Sequence, residues 1–244
     1  MERNINPAVY GYEGLPDIDS EFDGDGQGWG WNAGIHYQFT EALSVGLSYR
    51  SGIELDLDGN INLTFPNNIM QYPAISGESE INLPAQWFGG VAYTFNNFLL
   101  EVGGKYEEWS SYDVLQIHTE QPILGSYLPP IPKQWEDTWG VNCGVKYNLN
   151  ENIALALGYI HEWNPVPDET FDPQIPSSDK NIYSMGFQKR KFIWDSLSFA
   201  ITYMYETYNS RSKDNSVGAE FGETANGIYD QESHLIATSL NIAF

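Results

Sequence analysis

Few of the 244 residues have the types and spacing that covalent chemistry needs. The four histidines, His36, His118, His161 and His234, are scattered. A hydrolase wants a His beside a Ser, or paired acids in one constellation. No Gly-x-Ser-x-Gly occurs, and Cys143 is the single cysteine, so no internal disulfide framework is available. The stretch DIDSEFDGDG (17–26) places acids at alternate positions, yet a calcium loop of the helix–loop–helix type wants Gly sixth and Glu twelfth, where this chain has Phe22 and Gly28. It reads as a solvated acidic loop, loosely cation-binding at most. GDGQGWG leads into a strand rather than a helix, so it is no phosphate cradle. The sequence therefore predicts no catalytic centre, no metal site and no cofactor. What remains is a set of side chains suited to binding.

Charge narrows the class of ligand. The chain has 11 Lys+Arg against 33 Asp+Glu, a net charge of -22. A nucleic-acid binder needs a basic footprint, which this composition excludes. Aromatic residues are abundant, at 16 Tyr, 12 Phe and 8 Trp. No apolar run approaches the ~18 residues of a membrane helix. MERNINPAVYGYEGLPD after Met1 has no apolar signal-peptide core, which predicts either an intracellular chain or a processed or truncated one.

The elements that must position the binding residues are strands. Apolar residues alternate with period two, and no stripe of period 3.6 is sustained. Nine strands are expected, near 27–39, 43–59, 80–95, 98–117, 135–148, 153–163, 180–189, 197–208 and 229–244. Most exceed the ~5–6 residues usual in soluble sheets and match the ~9–11 of a tilted membrane-spanning strand. Short connections (40–42, 96–97, 150–153, 191–196) alternate strictly with long ones (60–79, 118–134, 164–179, 209–228). In a meander that sorts tight turns to one rim and long loops to the other, the anatomy of an outer-membrane barrel. The last strand alternates Ile236, Leu240, Ile242 and Phe244 with small or polar residues. The fold class is thus all-β, an antiparallel up-and-down transmembrane β-barrel, with residues 1–26 an acidic external loop segment and 27–244 the barrel part.

One parity is bulky, as in Val45, Leu47 and Tyr49 or Ile201, Tyr203 and Tyr205; the other is small or polar, as in Gly46, Ser48 and Arg50. Bulk outward to lipid leaves the small parity inward. On that parity Phe88, Leu99, Trp109, Ile160, Ile182 and Met204 supply scarce apolar bulk. Arg50, Lys105 and Lys146 supply cations. Arg50 is expected beside Glu54 and Asp56, and Lys105 beside Glu101 and Glu107, in ion-pair ladders. Only His36 among the histidines takes the inward parity. Ligand-binding candidates are therefore Arg50, Lys105, Phe88, Trp109, Ile160 and Met204.

The stretches GWGWNAGIHYQF and LSVGLSYRSGIELDLDGN resemble the FadL family of long-chain fatty-acid transporters, which includes toluene- and xylene-type hydrocarbon channels. So do INLPAQWFGGVAY (81–93), EEWSSYDVLQI (107–117), WEDTWGVNCGVKY (135–147) and NPVPDETFDPQIPSSDKNIYSMGF (164–187). The resemblance covers nearly all of 24–244. It implies about nine strands of a fourteen-stranded barrel in the outer membrane of a Gram-negative bacterium, without the early strands and the plugging hatch. It implies passive uptake of a hydrophobic solute, a fatty acid or an aromatic hydrocarbon, and no enzyme activity. It implies as partners outer-membrane lipid and lipopolysaccharide, and the barrel-assembly machinery through the strand ending at Phe244. It also adds Lys133 as a candidate head-group ligand, because a lysine in this region serves that role in the family. The alternatives are a general polar porin, a structural outer-membrane barrel and a soluble acidic β-sandwich.

Overall fold

The computed structural model describes residues 2–5, 16–66, 72–123, 125–172, 177–214 and 226–242. In chain order the strands are β1 (Glu2–Ile5), β2 (Ile18–Gln27), β3 (Asn32–Gln38), β4 (Leu43–Arg50), β5 (Ile53–Thr64), β6 (Ile75–Leu83), β7 (Gln86–Phe95), β8 (Phe98–Glu107), β9 (Val114–Leu115), β10 (Ile117–Thr119), β11 (Ile131–Pro132), β12 (Thr138–Asn148), β13 (Ile153–Glu162), β14 (Lys180–Lys189), β15 (Leu197–Tyr208), β16 (Arg211–Lys213), β17 (Gly227–Tyr229) and β18 (Glu232–Ile242). Nine of them form one antiparallel meander in the order β18-β15-β14-β13-β12-β8-β7-β4-β3. The sheet is an open arc: among the described residues β3 and β18 each pair on one side only.

The short turns and long connections fall at opposite ends of this meander, as the sequence predicts. Asn96, in the two-residue turn between β7 and β8, adopts φ 51°, a left-handed conformation that Asn tolerates well. Ile242 pairs with Leu197 at the short-turn end; Phe244 lies outside the described residues.

Alternation sorts the sheet into two faces. Directly opposed residues share a face, so the register carries Phe88, Lys105, Gly140, Glu162, Lys180 and Tyr208 along one row from β7 to β15. The opposite face is bulky and exposed: Leu47, Val91, Leu100, Val102, Leu157 and Ile236 all stand in the open. Aromatic residues bound this apolar band. Near the long-loop end Tyr49, Trp87, Tyr106 and Trp139 sit in register, with Tyr49–Trp87 and Tyr106–Trp139 ring centroids 4.4 and 4.6 Å apart. Near the short-turn end Phe95, Phe98 and Tyr147 align, Phe98 stacking on Tyr147 at 4.6 Å. From Trp87 to Phe95 the strand advances ~26 Å at ~3.3 Å per residue. Tilted by ~40°, that is ~20 Å of height, close to the ~25 Å band flanked by aromatic girdles of outer-membrane barrels.

Three strands continue past the arc into a second sheet, ordered β1-β2-β5-β6-β10. The acidic stretch expected as a loop is therefore mostly strand: Ile18–Gln27 pairs with β5 from Asp19↔Thr64 to Gln27↔Asp56. The expected loop 60–79 is likewise a hairpin, because β5 runs to Thr64 and β6 starts at Ile75. Breaks at 51–52 and 84–85 split the expected strands 43–59 and 80–95 between the two sheets. This extension holds the hydrophobic core, in which Ile18, Ile61, Leu63, Phe65, Ile75 and Ile123 pack together with Phe22, Tyr72, Ile117 and Leu128 against them.

Candidate functional site

Every inward candidate on the meander strands falls on the small-residue face: Arg50, Phe88, Leu99, Lys105, Lys146, Ile160, Ile182 and Met204. The exception is Trp109. Strand β8 stops at Glu107, short of the expected 117, and Trp109–Ser111 form a 3₁₀ turn. Its indole packs on Trp135 at 4.8 Å, and Tyr112 meets Trp135 edge-on at 5.1 Å, so this aromatic cluster belongs to the long-loop rim.

An open groove of about 790 Å³ lies on the small-residue face. One row of its floor is His36, Gly46, Gly90, Gly103 and Asn142, ending on Ile160. Three adjacent glycines leave bare backbone where side chains would stand. Phe88, Lys105 and Glu162 border the floor on the long-loop side, and Ser44, Ala92 and Glu101 on the other. Phe88, Ile160 and Lys105 thus share one groove. Met204 lies two strands beyond Ile160 and does not line it.

The charged residues above the floor form a ladder. Lys105 Nζ contacts Glu107 at 2.8 Å and Glu162 at 2.7 Å. Lys180 contacts Glu162 at 2.8 Å and Glu206 at 3.4 Å. Gln86 donates to Glu107 (2.6 Å), and Tyr208 and Ser233 donate to Glu206 (2.9 and 2.8 Å). The expected pairing of Lys105 with Glu101 is replaced: Glu101 lies two same-face rows away along β8, whereas Glu162 is reached across Gly140. A Cβ on Gly140 would stand 2.9 Å from Lys105 Cγ and Cε, so only glycine lets the lysine lie flat there.

Arg50 makes no ion pair with Glu54 or Asp56, because the break at 51–52 carries those acids into the extension sheet. Lys146 Nζ donates to Gln188 Oε1 at 2.9 Å. Lys133 is only 4% exposed and bridges to Asp172 at 3.4 Å, while its carbonyl accepts from Thr170. That buries it in the rim. Burial, and then the charge of Asp172, pushes the nearby Tyr112 hydroxyl above its ordinary range. Asp137 ties β12 to the same rim by accepting from Tyr106 (2.5 Å) and the Ser110 amide (2.9 Å). The Tyr106 hydrogen bond is the main reason its carboxyl lies below the usual range.

Sequence reasoning missed Glu162 and Lys180, whose role appears only once the register sets β8, β12, β13 and β14 side by side. It also missed the clamp at Arg211, which bonds Asp168 (2.7 Å), Ser177 O (2.6 Å) and Val166 O (2.7 Å) and lies over Phe171. Glu54, Asp56 and Glu80 bring carboxylate oxygens within 4.8 Å of one another, fully exposed on the extension. Water and mobile ions satisfy such acids without a built site.

Residues 11–244 match the family described as "Outer membrane protein transport protein (OMPP1/FadL/TodX)". The long-chain fatty acid transport protein of Escherichia coli O6:H1 is 25% identical over 168 residues, 64% of this chain and 37% of that protein. A Pseudomonas aeruginosa FadL homologue superposes with a TM-score of 0.75 at 20% identity, covering 92% of this chain and 53% of that one. The Pseudomonas putida toluene transporter TodX superposes with a TM-score of 0.68 at 18% identity, covering 96% and 55%. The chain thus spans less than half of the fatty-acid transport protein it matches and just over half of each solved barrel.

Proposed function

Because the chain belongs to the OMPP1/FadL/TodX family of outer membrane transport proteins, we propose that its groove is one station on a passive route for hydrophobic solutes across the outer membrane. The solute class is long-chain fatty acids or aromatic hydrocarbons, as in the fatty-acid transport protein and the toluene transporter it resembles. The observation that carries this reading is the glycine floor edged by Phe88 and Ile160, an apolar seat on the small-residue face of a sheet whose other face carries an exposed apolar band. That face then lines the lumen, and the bulky face meets lipid. Affinity would come from removing an acyl or aromatic body from water, at ~25 cal/mol per Å² of apolar surface. Such sites are apolar with few polar groups, which suits stepwise passage without nucleotide, metal or covalent chemistry.

The extension sheet and the long connections stand on the outer side in this reading, with lipopolysaccharide around them and the assembly machinery reading β18. Arg50 is exposed on the groove's face towards the long-loop end, outside the groove's lining. The buried Lys133–Asp172 pair holds the rim together. Gly46 offers the test, because a Cβ there meets only Ile35 O, at 3.9 Å. Gly46→Trp fills the groove without disturbing backbone. Cells carrying the complete protein with this change should lose most uptake of labelled oleate and toluene while the barrel still folds. Unchanged uptake of both would remove the groove from the route, and ion conductance without uptake would favour a polar porin.

A further inference from the structure

The charge ladder beside the groove has a consequence for what the groove accepts. Lys105 is the cation that lines it, and an ammonium group has three donors. Two already point at Glu107 and Glu162, at 2.8 and 2.7 Å, and the three side chains are only 21%, 10% and 17% exposed. Lys180, the next cation along the row, is held between Glu162 and Glu206. Glu107, Glu162 and Glu206 against Lys105 and Lys180 make three negative charges to two positive, a net of -1. Glu101, on the opposite border, has no ion-pair partner among the described residues and adds a further negative charge.

We propose that Glu162, by holding Lys105 across Gly140 and Lys180 from the other side, is a specificity-determining residue that makes the groove favour uncharged apolar solutes over carboxylates. A carboxylate seated against Phe88 and Ile160 would face Glu101 and Glu162, and Lys105, whose charge two acids already share, would offset little of that repulsion. Charge–charge terms strengthen where water is partly excluded, so this penalty exceeds that of the same acids in open solvent. An uncharged body of the same shape meets none of it. Glu162→Gln removes the shared acid, leaves the ladder at two charges of each sign, and returns one Lys105 donor to the groove. The inference rests on the reading that the groove carries hydrophobic solutes.

The test is equilibrium dialysis of the complete protein in a maltoside detergent against radiolabelled 1-decanol and decanoate, equal apolar bodies with neutral and anionic heads. The unaltered protein should hold decanol about tenfold tighter than decanoate, the scale of one charge-assisted hydrogen bond. Glu162→Gln should narrow the ratio to about threefold or less by gaining decanoate. Glu107→Gln, which frees Lys105 from its other acid, should narrow it in the same direction and serves if Glu162→Gln loses its folded mobility on gels. Equal binding of the two by the unaltered protein, or a ratio unmoved in folded variants, overturns the proposal while leaving the groove a solute site. Binding of neither solute by any form overturns the solute reading as well.

Discussion

The nine-stranded arc and the five-stranded extension share three through-running chains of strand, yet they bury opposite things. In β4 the odd residues Val45, Leu47 and Tyr49 stand on the outside of the arc, with Leu47 half exposed. Three residues beyond the end of β4, at Ile53, the same parity resumes in β5 and runs to Ile61 and Leu63, which are core. The difference lies in what covers the apolar face. Along the arc nothing among the described residues covers it, and the bilayer stands in for a core. Along the extension Ile75, Ile123 and Leu128 close over it, and the other parity, with Glu54, Asp56 and Asp58, faces water. One alternation thus serves two solvents, and the break at 51–52 marks the change.

Truncation should separate the two regions most. Ile61→Ala empties a site that is 1% exposed, and a cavity of this kind costs about 2–5 kcal/mol because rigid neighbours do not refill it. The extension should lose protease resistance while the arc keeps its folded gel mobility. Leu100→Ala, on the lipid face, should cost less, since mobile acyl chains flow into the space. Equal costs would mean that the lipid face is packed like a core.

Charge should sharpen the comparison next. Val102 lies midway between the girdle residues Tyr106 and Phe98. Val102→Arg should destabilise by about 2–4 kcal/mol in bilayers, the cost of a cation at the membrane midplane. Ala92→Arg, at nearly the same depth on the inner face and opposite Glu101, should cost far less, as read by denaturant unfolding in vesicles. A cheap Val102→Arg would take that face out of lipid.

The smallest effect expected is on the acidic face of the extension. Asp58 stands directly opposite both Asp25 and Glu78, and Asp56 opposite Glu80. Like charges in direct opposition are unfavourable by a few tenths of a kcal/mol, up to about 1. Asp58→Asn should therefore stabilise the extension slightly at low salt, and the gain should vanish near 1 M salt, where the screening length is about 3 Å. A salt-independent gain would point to packing instead.

Much of this was legible in the sequence because alternation and turn chemistry are local. The nine strands, the two faces and the sorting of short turns from long loops follow from parity and from pairs such as Asn96–Asn97. The extension was not legible. Asn60, Asn62 and Gly59 have weak strand preference, and they extend because β2 and β6 pair with them. Trp109 followed parity on paper, but Ser110 and Ser111 turn the chain and Trp135 receives the indole. In the site, Phe88, Ile160 and Lys105 were found by parity alone. Of the two partners of Lys105, Glu107 was expected and Glu162 was not, because a neighbour two residues away in sequence is visible and one two strands away is not. The signal that could have found Glu162 is the coincidence of a glycine, Gly140, with long charged residues in the flanking strands.

The most direct measurement is a nitroxide scan from residue 43 to 64 of the complete protein in lipid vesicles, read with oxygen and with a water-soluble nickel complex. Labels at Val45 and Leu47 should collide with oxygen and those at Ser44 and Gly46 with nickel. Labels at Ile61 and Leu63 should be shielded from both. Oxygen access that continues through Ile61 and Leu63, or shielding of Val45 and Leu47 from both reagents, would contradict one strand passing from a lipid-facing sheet into a protein-covered one.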